Sequence, residues 1–341
     1  MESLYFKSNS TELHHGSALK VLKTFDNEIV DCVVTSPPYW NLRDYGTAEW
    51  KGGSKHCDHT INTPDRDSYR IKQNISNRPF RGNRDKCLYC DAIRVDDQIG
   101  LENTFEEYVN NLVRIFEEIK RVLKDDGVVW LNLGDTYFHQ KPYGNNKLKT
   151  KDMIGIPWRV AFALQENGWY LRSDIIWQKK VILPESVKDR CTKSHEYIFM
   201  LTKSQNYYFN AEAIKEPTVS QDNYTRDRDN PNNKTNTTPG RARIAGMKHN
   251  NYETRNKRSV WTMSPNISKD YHYATFPKEI PMNCIKASCP ENGVVLDPFV
   301  GSGTTVQVAE ILGKKSVGID INKQYLDICL KKIQQKTIWF H

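Results

Sequence analysis

The sequence contains no long apolar run. No uninterrupted hydrophobic stretch approaches the roughly 20 residues that a membrane-spanning helix needs. Mean hydropathy is −0.70 and charged residues make up 26% of the chain. Residues 1–10 also lack the apolar stretch of a signal peptide. These absences predict a soluble, cytoplasmic chain with no membrane partner.

The eight cysteines lack the context in which disulfides form. Disulfides are typical of small secreted proteins, whereas this chain has 341 residues and no signal peptide. Three cysteines in apolar stretches are interpreted as small core residues: Cys32, Cys284 and Cys329. Cys57, Cys87 and Cys90 lie in polar sequence and need another explanation.

Positive charge is in moderate excess. The chain has 49 Lys and Arg against 41 Asp and Glu, which gives a net charge of +8. Such a balance is compatible with a polyanionic partner, although many soluble proteins are mildly basic. The length is sufficient for one large core with insertions or for two domains.

Strand-like and helix-like segments alternate along most of the chain. This pattern predicts an α/β fold with a mostly parallel sheet and helices on both faces. Helices are predicted over 17–25, from 104 to a stop at 125–127, and over 156–167, 304–312 and 324–333. Strands are predicted over 29–35, 128–133, 175–178, 197–201, 294–296 and 316–319.

Two polar stretches, 46–100 and 215–258, interrupt the α/β pattern. Within the second, positions 221–258 carry nine Lys or Arg and four Asp or Glu, with few large apolar residues. A solvated loop would have the same composition. One domain is therefore predicted, with a first part over 1–45 and 101–214 and a second part over 259–341.

A glycine-containing turn follows the predicted strand at 294–296. Glycines allow close approach to a ligand, and the helix N-terminus after the turn offers N–H groups to an anionic group. Asp297 ends the strand, where a carboxylate would bind an ammonium group, and Asp320 follows 23 residues later, well placed for ribose hydroxyls. The turn lacks the dinucleotide pattern G-x-G-x-x-G and resembles D-P-F-x-G-S-G-T-T of methyltransferases. The alternatives are a nucleotide site or a purely structural turn.

A second motif, Ser36-Pro37-Pro38-Tyr39, follows the predicted strand at 29–35. An amino group on a nucleobase is a poor nucleophile because its lone pair is delocalised into the ring. Ser36 Oγ and the Pro37 carbonyl are candidate acceptors for its N–H groups, because prolines fix the backbone in advance. Tyr39 is a candidate to stack on the base. A rigid Pro-Pro turn without function is the simpler alternative.

Together the motifs resemble the permuted β group of DNA amino-methyltransferases, in which the S/D-P-P-Y motif precedes the cofactor motif. Further stretches resemble that group: VVWLNLGD at 128–135, IPWR at 156–159, HEYIFMLTK at 195–203, YYFN at 207–210 and YATFP at 273–277. The resemblance covers nearly the whole chain except the two polar stretches. It implies a Rossmann-like fold that binds S-adenosylmethionine, and base flipping of the target.

The resemblance also implies roles for particular residues. The catalytic residues are Ser36, Pro37, Pro38 and Tyr39. The cofactor-binding residues are Asp297, Pro298, Phe299, Gly301, Ser302, Gly303, Thr304, Thr305, Asp320, Thr35, Phe276 and Pro277. The stretch 215–258 lies where the group has its target-recognition region, and its basic composition suits phosphate contacts.

Serine at position 36 favours cytosine N4 as the target, because relatives with Asp or Asn there are mostly adenine-N6 enzymes. The expected partner is double-stranded DNA, with a cognate restriction endonuclease by analogy and either a monomer or a homodimer. RNA methylation and a non-catalytic DNA-binding protein are the other hypotheses. Protein glutamine methyltransferases share a similar motif, but their cofactor loop normally comes first.

Four residues in the polar stretch 46–100 predict a structural zinc site. Cys57 and His59 form a Cys-x-His pair, and Cys87 and Cys90 form a Cys-x-x-Cys pair, which are ligand types that zinc prefers. A polar insertion with little core would gain stability from such a site. His56 is an alternative to His59, and unrelated cysteines are the alternative to zinc.

Overall fold

The computed structural model describes most of the chain. The described residues are 3–42, 44–57, 59, 86–87, 89–138, 148–182, 184–218, 224–226, 247–249, 253–265 and 276–337. Much of the polar stretch 46–100, most of the predicted recognition stretch 215–258, and residues 273–275 of the YATFP stretch lie outside the described residues.

Within the described residues, nine strands form the central sheet and six shorter strands form two-stranded ladders. The central strands are β1 (Ser3–Lys7), β2 (Thr11–His15), β3 (Val30–Thr35), β6 (Leu123–Leu133), β7 (Tyr170–Lys179), β8 (His195–Thr202), β13 (Val260–Met263), β14 (Val294–Asp297) and β15 (Lys315–Asp320). The ladder strands are β4 (Glu49–Lys51), β5 (Ile93–Val95), β9 (Glu216–Pro217), β10 (Tyr224–Arg226), β11 (Met247–His249) and β12 (Thr254–Arg255).

The strand order of the central sheet is β1-β2-β15-β14-β3-β6-β8-β7-β13. The run from β2 through β15, β14 and β3 to β6 is parallel throughout. Strand β8 is antiparallel to both of its neighbours, β6 and β7, and β1 is antiparallel to β2. All six residues of β3 are buried, as expected for a strand that is covered on both faces. The predicted mostly parallel α/β sheet is confirmed.

In the part of the chain that the structure describes, six α-helices pack on this sheet in two groups. They are α1 (Ala18–Leu22), α2 (Phe105–Val122), α3 (Ile156–Glu166), α4 (Glu279–Ser288), α5 (Thr304–Ile311) and α6 (Lys323–Thr337). Helix α2 contacts α1 and α3, and α5 contacts α4 and α6. The apolar stripe of α2, which includes Tyr108, Leu112 and Phe116, is fully buried in the largest core cluster.

The predicted end of helix α2 was wrong. The structure ends the helix at Val122, and Asp125, Asp126 and Gly127 lie inside strand β6 instead of terminating the helix. Leu123 is already extended, with φ −75° and ψ 136°, and it pairs with Val30 of β3 while fully buried. Pairing and burial of Leu123 therefore outweigh the turn preference of the Asp-Asp-Gly sequence.

The chain divides into two units. The first comprises Met1–Phe209 and Ser259–His341 and holds the central sheet, and the second comprises Asn210–Arg258. The described part of the second unit contains a short 3-10 helix over Glu212–Ile214 and the antiparallel ladders β9–β12 and β10–β11. In that unit Glu216 accepts charged hydrogen bonds from Arg255 and Arg258. No helix in the described part of the chain is long and apolar enough to cross a membrane.

The N-cap residue of α2, Thr104, allows a test of where this helix begins. Thr104 accepts a hydrogen bond from the Glu107 amide at 3.1 Å. We expect Thr104→Ala to lower the free energy of unfolding by about 1 kcal/mol, because a helix N–H loses its acceptor. Urea unfolding followed by circular dichroism measures this loss. Thr104→Ser keeps the hydroxyl and should lie within a few tenths of a kcal/mol of the parent; equal losses in both variants would contradict the cap.

Candidate active site

The two sequence motifs meet because their strands are neighbours. Strands β3 and β14 are parallel, with Cys32 opposite Val295 and Val33 opposite Leu296. Their carboxyl ends therefore lie at the same edge of the sheet, where open α/β sheets bind ligands. Thr35, the last residue of β3, donates a hydrogen bond to Asp297 Oδ1, at the end of β14, over 2.7 Å.

Asp297 connects the ends of these strands to helix α5. Its Oδ2 accepts a hydrogen bond from Thr305 Oγ1 at 2.6 Å, and its Oδ1 also accepts one from the Phe299 amide at 3.1 Å. The residue is only 2% exposed. Burial raises the pKa of this carboxyl to about 6, and the Thr305 and Thr35 hydroxyls oppose the rise. The carboxylate that was predicted to bind an ammonium group therefore has three donors within the protein.

The glycine turn after Asp297 has the backbone that its sequence predicts. Gly301 and Gly303 adopt positive φ values of 50° and 84°. A Cβ atom at Gly303 would overlap the Cys329 side chain, so only glycine fits there. The Gly301 amide donates to Asp320 Oδ2 and the Asn322 amide to Oδ1, both at 2.8 Å. Desolvation by burial raises the pKa of Asp320 to about 7 despite these amides.

A single cavity of about 220 Å³ extends along this edge of the sheet. Its lining includes most of the predicted site residues: Ser36, Pro37, Pro38, Tyr39, Phe276, Asp297, Pro298, Phe299, Gly301, Ser302, Thr304 and Asp320. Four predicted cofactor residues do not line it: Thr35, Gly303, Thr305 and Pro277. Thr35 and Thr305 donate hydrogen bonds to Asp297, which does line the cavity. Gly303 packs against the Cys329 side chain, and Pro277 is buried next to Phe276 in the sequence.

The Ser-Pro-Pro-Tyr loop is held in place at Pro38 and Tyr39. Tyr108 of α2 donates a hydrogen bond to the Pro38 carbonyl at 2.9 Å. Tyr39 donates from its hydroxyl to Glu196 Oε2 at 2.6 Å. A Cβ at Gly134 would lie 2.6 Å from the Tyr39 ring, so the ring packs closely on that backbone. Burial and the neighbouring Glu196 charge raise the pKa of Tyr39 well above its ordinary value, so the phenol stays protonated.

Three residues of the site were missed in the sequence. Asn132 Nδ2 donates to the Tyr39 hydroxyl and to Glu196 Oε2 at 2.9 Å, and lies 3.4 Å from Ser36 Oγ. Lys179 forms an ion pair with Glu196 Oε1. All three line the same cavity. The sequence did offer a signal for two of them, because Asn132 and Glu196 are polar residues inside the family-like stretches VVWLNLGD and HEYIFMLTK.

The candidate metal ligands also come together. One ligand atom each from Cys57, His59, Cys87 and Cys90 lies within 4.8 Å of the others. The histidine of this group is His59, and His56 is not part of it. All four cysteine and histidine side chains lie outside the cavity lining, so this cluster is separate from the two motifs.

A mostly parallel sheet with these two motifs at neighbouring strand ends defines a Rossmann-like methyltransferase. The family model described as DNA methylase matches residues 30–331. The chain belongs to this family of N6 and N4 DNA methyltransferases, which confirms the resemblance inferred from the sequence.

Curated relatives agree with this assignment. The chain is 38% identical to the type II methyltransferase M.Cfr9I of Citrobacter freundii, over 96% of this chain and 88% of that protein. It is 35% identical to the type II methyltransferase M.SmaI of Serratia marcescens, over 98% of this chain and 94% of that protein. Both alignments span almost the full length of each partner, so the likeness includes the catalytic and the cofactor motifs.

Two solved structures share the fold at low sequence identity. PvuII DNA methyltransferase, described as cytosine-N4-specific, superposes with a TM-score of 0.60 at 15% identity over 97% of this chain and 89% of that one. A DNA modification methylase of Thermus thermophilus, solved in complex with S-adenosyl-L-methionine and described as putative, gives a TM-score of 0.53 at 19% identity over 97% of each chain.

Because Thr35 of one motif hydrogen-bonds to Asp297 of the other, Thr35→Val should lower the free energy of unfolding by an amount that depends on pH. The pKa of Asp297 is about 6 in the folded state and 3.8 ordinarily, so the folded state holds this proton more tightly. Its own contribution to stability therefore falls as pH rises through about 6. Thr35 donates to the ionised carboxylate, so the variant should lose about 1.5–3 kcal/mol of the free energy of unfolding at pH 8. The loss should be smaller at pH 5, where Asp297 is mostly protonated.

Urea unfolding of parent and variant at the two pH values measures the difference. Thr202→Val is a matched control, because Thr202 is equally buried and its hydroxyl donates to the neutral Ser204 carbonyl at 2.8 Å. Its cost should not change with pH. A Thr35→Val cost that is the same at both pH values would contradict the assigned ionisation of Asp297.

Proposed function

We propose that the protein transfers a methyl group from S-adenosylmethionine to the exocyclic N4 of cytosine in duplex DNA. One observation carries this proposal. The cavity that begins at Asp320 and Asp297 continues without interruption to Ser36 and Tyr39. A cofactor held by the two acids and a base held by the Ser-Pro-Pro-Tyr loop would therefore meet inside one cavity.

The residues at the β14 and β15 ends fit this cofactor. Asp320 lies at the end of β15, with both oxygens directed to turn amides, and its lining position suits acceptance of ribose hydroxyls. Phe276, Pro298 and Phe299 supply apolar surface for a flat ring. The buried negative charge at Asp297 favours a cation nearby. When bound, S-adenosylmethionine would supply a methyl group on a sulfonium.

The catalytic loop would hold the target amino group. Ser36 Oγ and the Pro37 carbonyl would accept its two N–H bonds and leave the nitrogen lone pair directed at the methyl group. Asn132 and Glu196 fix the tyrosine end of this loop through the Tyr39 hydroxyl. Glu196 is in turn paired with Lys179, and these residues would position the acceptors. Methyl transfer leaves a thioether on the cofactor and releases one amino proton, which would pass from the Ser36 or Pro37 acceptor to solvent. The target base must leave the duplex to enter this cavity.

Cytosine N4 is favoured over adenine N6 for two reasons. Serine occupies the first position of the motif, and members of the family with Ser36 in this place are mostly cytosine enzymes. PvuII methyltransferase, which shares the fold, is described as cytosine-N4-specific. Adenine N6 is the alternative, because the named relatives are called type II methyltransferases without a stated base.

The remaining partners follow the same proposal. The unit Asn210–Arg258 would read the target sequence, supported by the basic composition of the stretch 215–258 and its position between the YYFN and YATFP stretches. The names of the relatives point to a restriction-modification system, in which a cognate endonuclease would cut the unmethylated target. The polar insertion 46–100 would be part of the catalytic unit.

Product analysis tests the proposed reaction. Purified protein incubated with S-adenosylmethionine and duplex DNA of mixed sequence should give N4-methylcytosine, identified by mass spectrometry of the hydrolysed nucleosides. Ser36→Ala should lower the rate by about 100-fold or more, because an acceptor for the reacting amino group is lost. N6-methyladenine as the product would keep the enzyme class and overturn the choice of base.

Cofactor binding and DNA binding provide the controls for Ser36→Ala. Both should stay within about twofold of the parent, because Ser36 hydrogen-bonds with Tyr39 and Asn132 and with neither of the two cofactor-binding acids. Unchanged methylation by this variant would remove Ser36 from the mechanism. Parallel reactions with RNA of mixed sequence separate a preference for RNA from an inactive preparation.

Asp320 predicts a pH-dependent affinity for the cofactor. Its pKa is about 7 in the folded protein, and hydroxyl donors bind the ionised form better. Affinity for S-adenosylmethionine should therefore rise as pH increases from about 5.5 to about 7.5. Asp320→Asn should bind roughly tenfold more weakly and keep only the rise that Asp297, with a pKa of about 6, contributes. Isothermal titration measures both. Asp26→Asn, at an exposed acid, is the control and should retain the parent profile.

A further inference from the structure

Four metal-ligand side chains converge outside the active-site cavity. Cys57 and His59 lie at one end of the polar insertion, and Cys87 and Cys90 lie at the other. Cys57 Sγ is 3.6 Å from Cys87 Sγ, and Cys90 Sγ is 3.2 Å from His59 Nδ1. All four ligand atoms lie within 4.8 Å of one another. Cys87 is buried, and the other three are partly buried.

The two shortest of these distances are close to those of a tetrahedral zinc site. Bonds of about 2.3 Å to sulfur and about 2.0 Å to nitrogen place neighbouring tetrahedral ligands roughly 3.5–3.8 Å apart. The Cys57–Cys87 separation falls in that range, and the Cys90–His59 separation is slightly shorter. A disulfide requires sulfur atoms about 2.05 Å apart, so the Cys57–Cys87 pair is not one. The cysteines of this cluster are all free thiols.

The backbone around the cluster is shaped for a close approach of the ligands. The amides of Tyr89 and Cys90 are hydrogen-bonding neighbours of the Cys87 sulfur. Gly53 has a φ of 72°, and a Cβ there would lie 2.7 Å from Cys90 Sγ and 2.8 Å from the Cβ of Ala92. A glycine is therefore required where the chain after β4 passes the second ligand pair.

We propose that this chain binds one structural zinc ion through Cys57, His59, Cys87 and Cys90. Four protein ligands complete a tetrahedral shell and leave no position for a substrate or a water, which is typical of structural zinc. None of the four residues lines the active-site cavity, so the ion would take no part in methyl transfer. The proposal does not depend on which base is methylated.

The site would brace one wall of the active-site cavity. Strands β4 and β5 pair as an antiparallel ladder next to the cluster, and the Trp50 ring of β4 stacks on His59 with centroids 5.2 Å apart. Arg94 of β5 forms ion pairs with Asp44 and Asp96 at 3.0 Å each.

The brace continues into the cavity lining. The Tyr45 amide donates to Gln98 Oε1 at 2.8 Å, and both residues line the cavity. Tyr45 also packs edge-on against Tyr325 of α6, which lines the cavity too. Because the zinc ligands hold the two ends of the insertion together, the ion would fix the ladder from which Tyr45 and Gln98 extend.

Metal analysis of the full-length protein tests the site without reference to methylation. After reduction and dialysis into metal-free buffer, plasma mass spectrometry should find about one zinc ion per chain. Replacement of zinc by Co²⁺ should give the visible ligand-field bands and thiolate charge-transfer bands of a tetrahedral site with sulfur ligands. Loss of the metal from Cys90→Ser, with retention in Cys191→Ser, is the expected pattern, because Cys191 is exposed and outside the cluster.

Two further measurements keep the test decisive if Cys90→Ser folds poorly. Cys90→His retains a ligand and should keep zinc while shifting the Co²⁺ bands, and Gly53→Val should lower metal occupancy without removing any ligand. The proposal is overturned if the reduced parent protein holds no zinc and gives no tetrahedral Co²⁺ spectrum. Peptide mapping that finds a Cys57–Cys87 disulfide in protein purified under non-reducing conditions, with no metal bound, would overturn it as well.

Discussion

The active site depends on the parallel pairing of β3 with β14. These strands are distant in sequence, and one carboxylate at each end joins them. At the amino end, the buried Asp31 accepts hydrogen bonds from the Val294 amide and from Lys124. At the carboxyl end, Asp297 accepts the Thr35 hydroxyl. Since buried carboxylates without donors are costly, both contacts hold the strands in one register.

The sequence was sufficient to predict those parts of the site that lie within one short motif. The motifs around Ser36 and Asp297 follow short apolar strands, so their positions at strand ends could be predicted, and parallel strands bring such ends together. The roles of Asn132 and Glu196 could not be inferred in the same way. Each is a polar residue next to an apolar run of its strand, and β6 and β8 are antiparallel neighbours, a pairing that only the tertiary fold fixes.

The strands and the helix that the sequence analysis missed have weak local signals. Strands β1, β2 and β13 were not predicted, and each lies at or next to an edge of the sheet. Strand β2, for example, has the sequence TELHH, in which Leu13 is the one large apolar residue. Helix α4 was missed because Pro281 lies in its first turn, where proline is tolerated although it usually indicates a break.

Burial explains how two acids can serve one cavity differently. Asp297 and Asp320 both have pKa values raised by desolvation, to about 6 and about 7. Asp297 accepts hydrogen bonds from two threonine hydroxyls and an amide, and these bonds join the two motifs. Asp320 is bound only by turn amides and remains half-buried at the cavity wall. The acid that is less committed to side chains is therefore the one with acceptor capacity left for a ligand, and the more committed acid fixes the ends of β3 and β14 relative to each other.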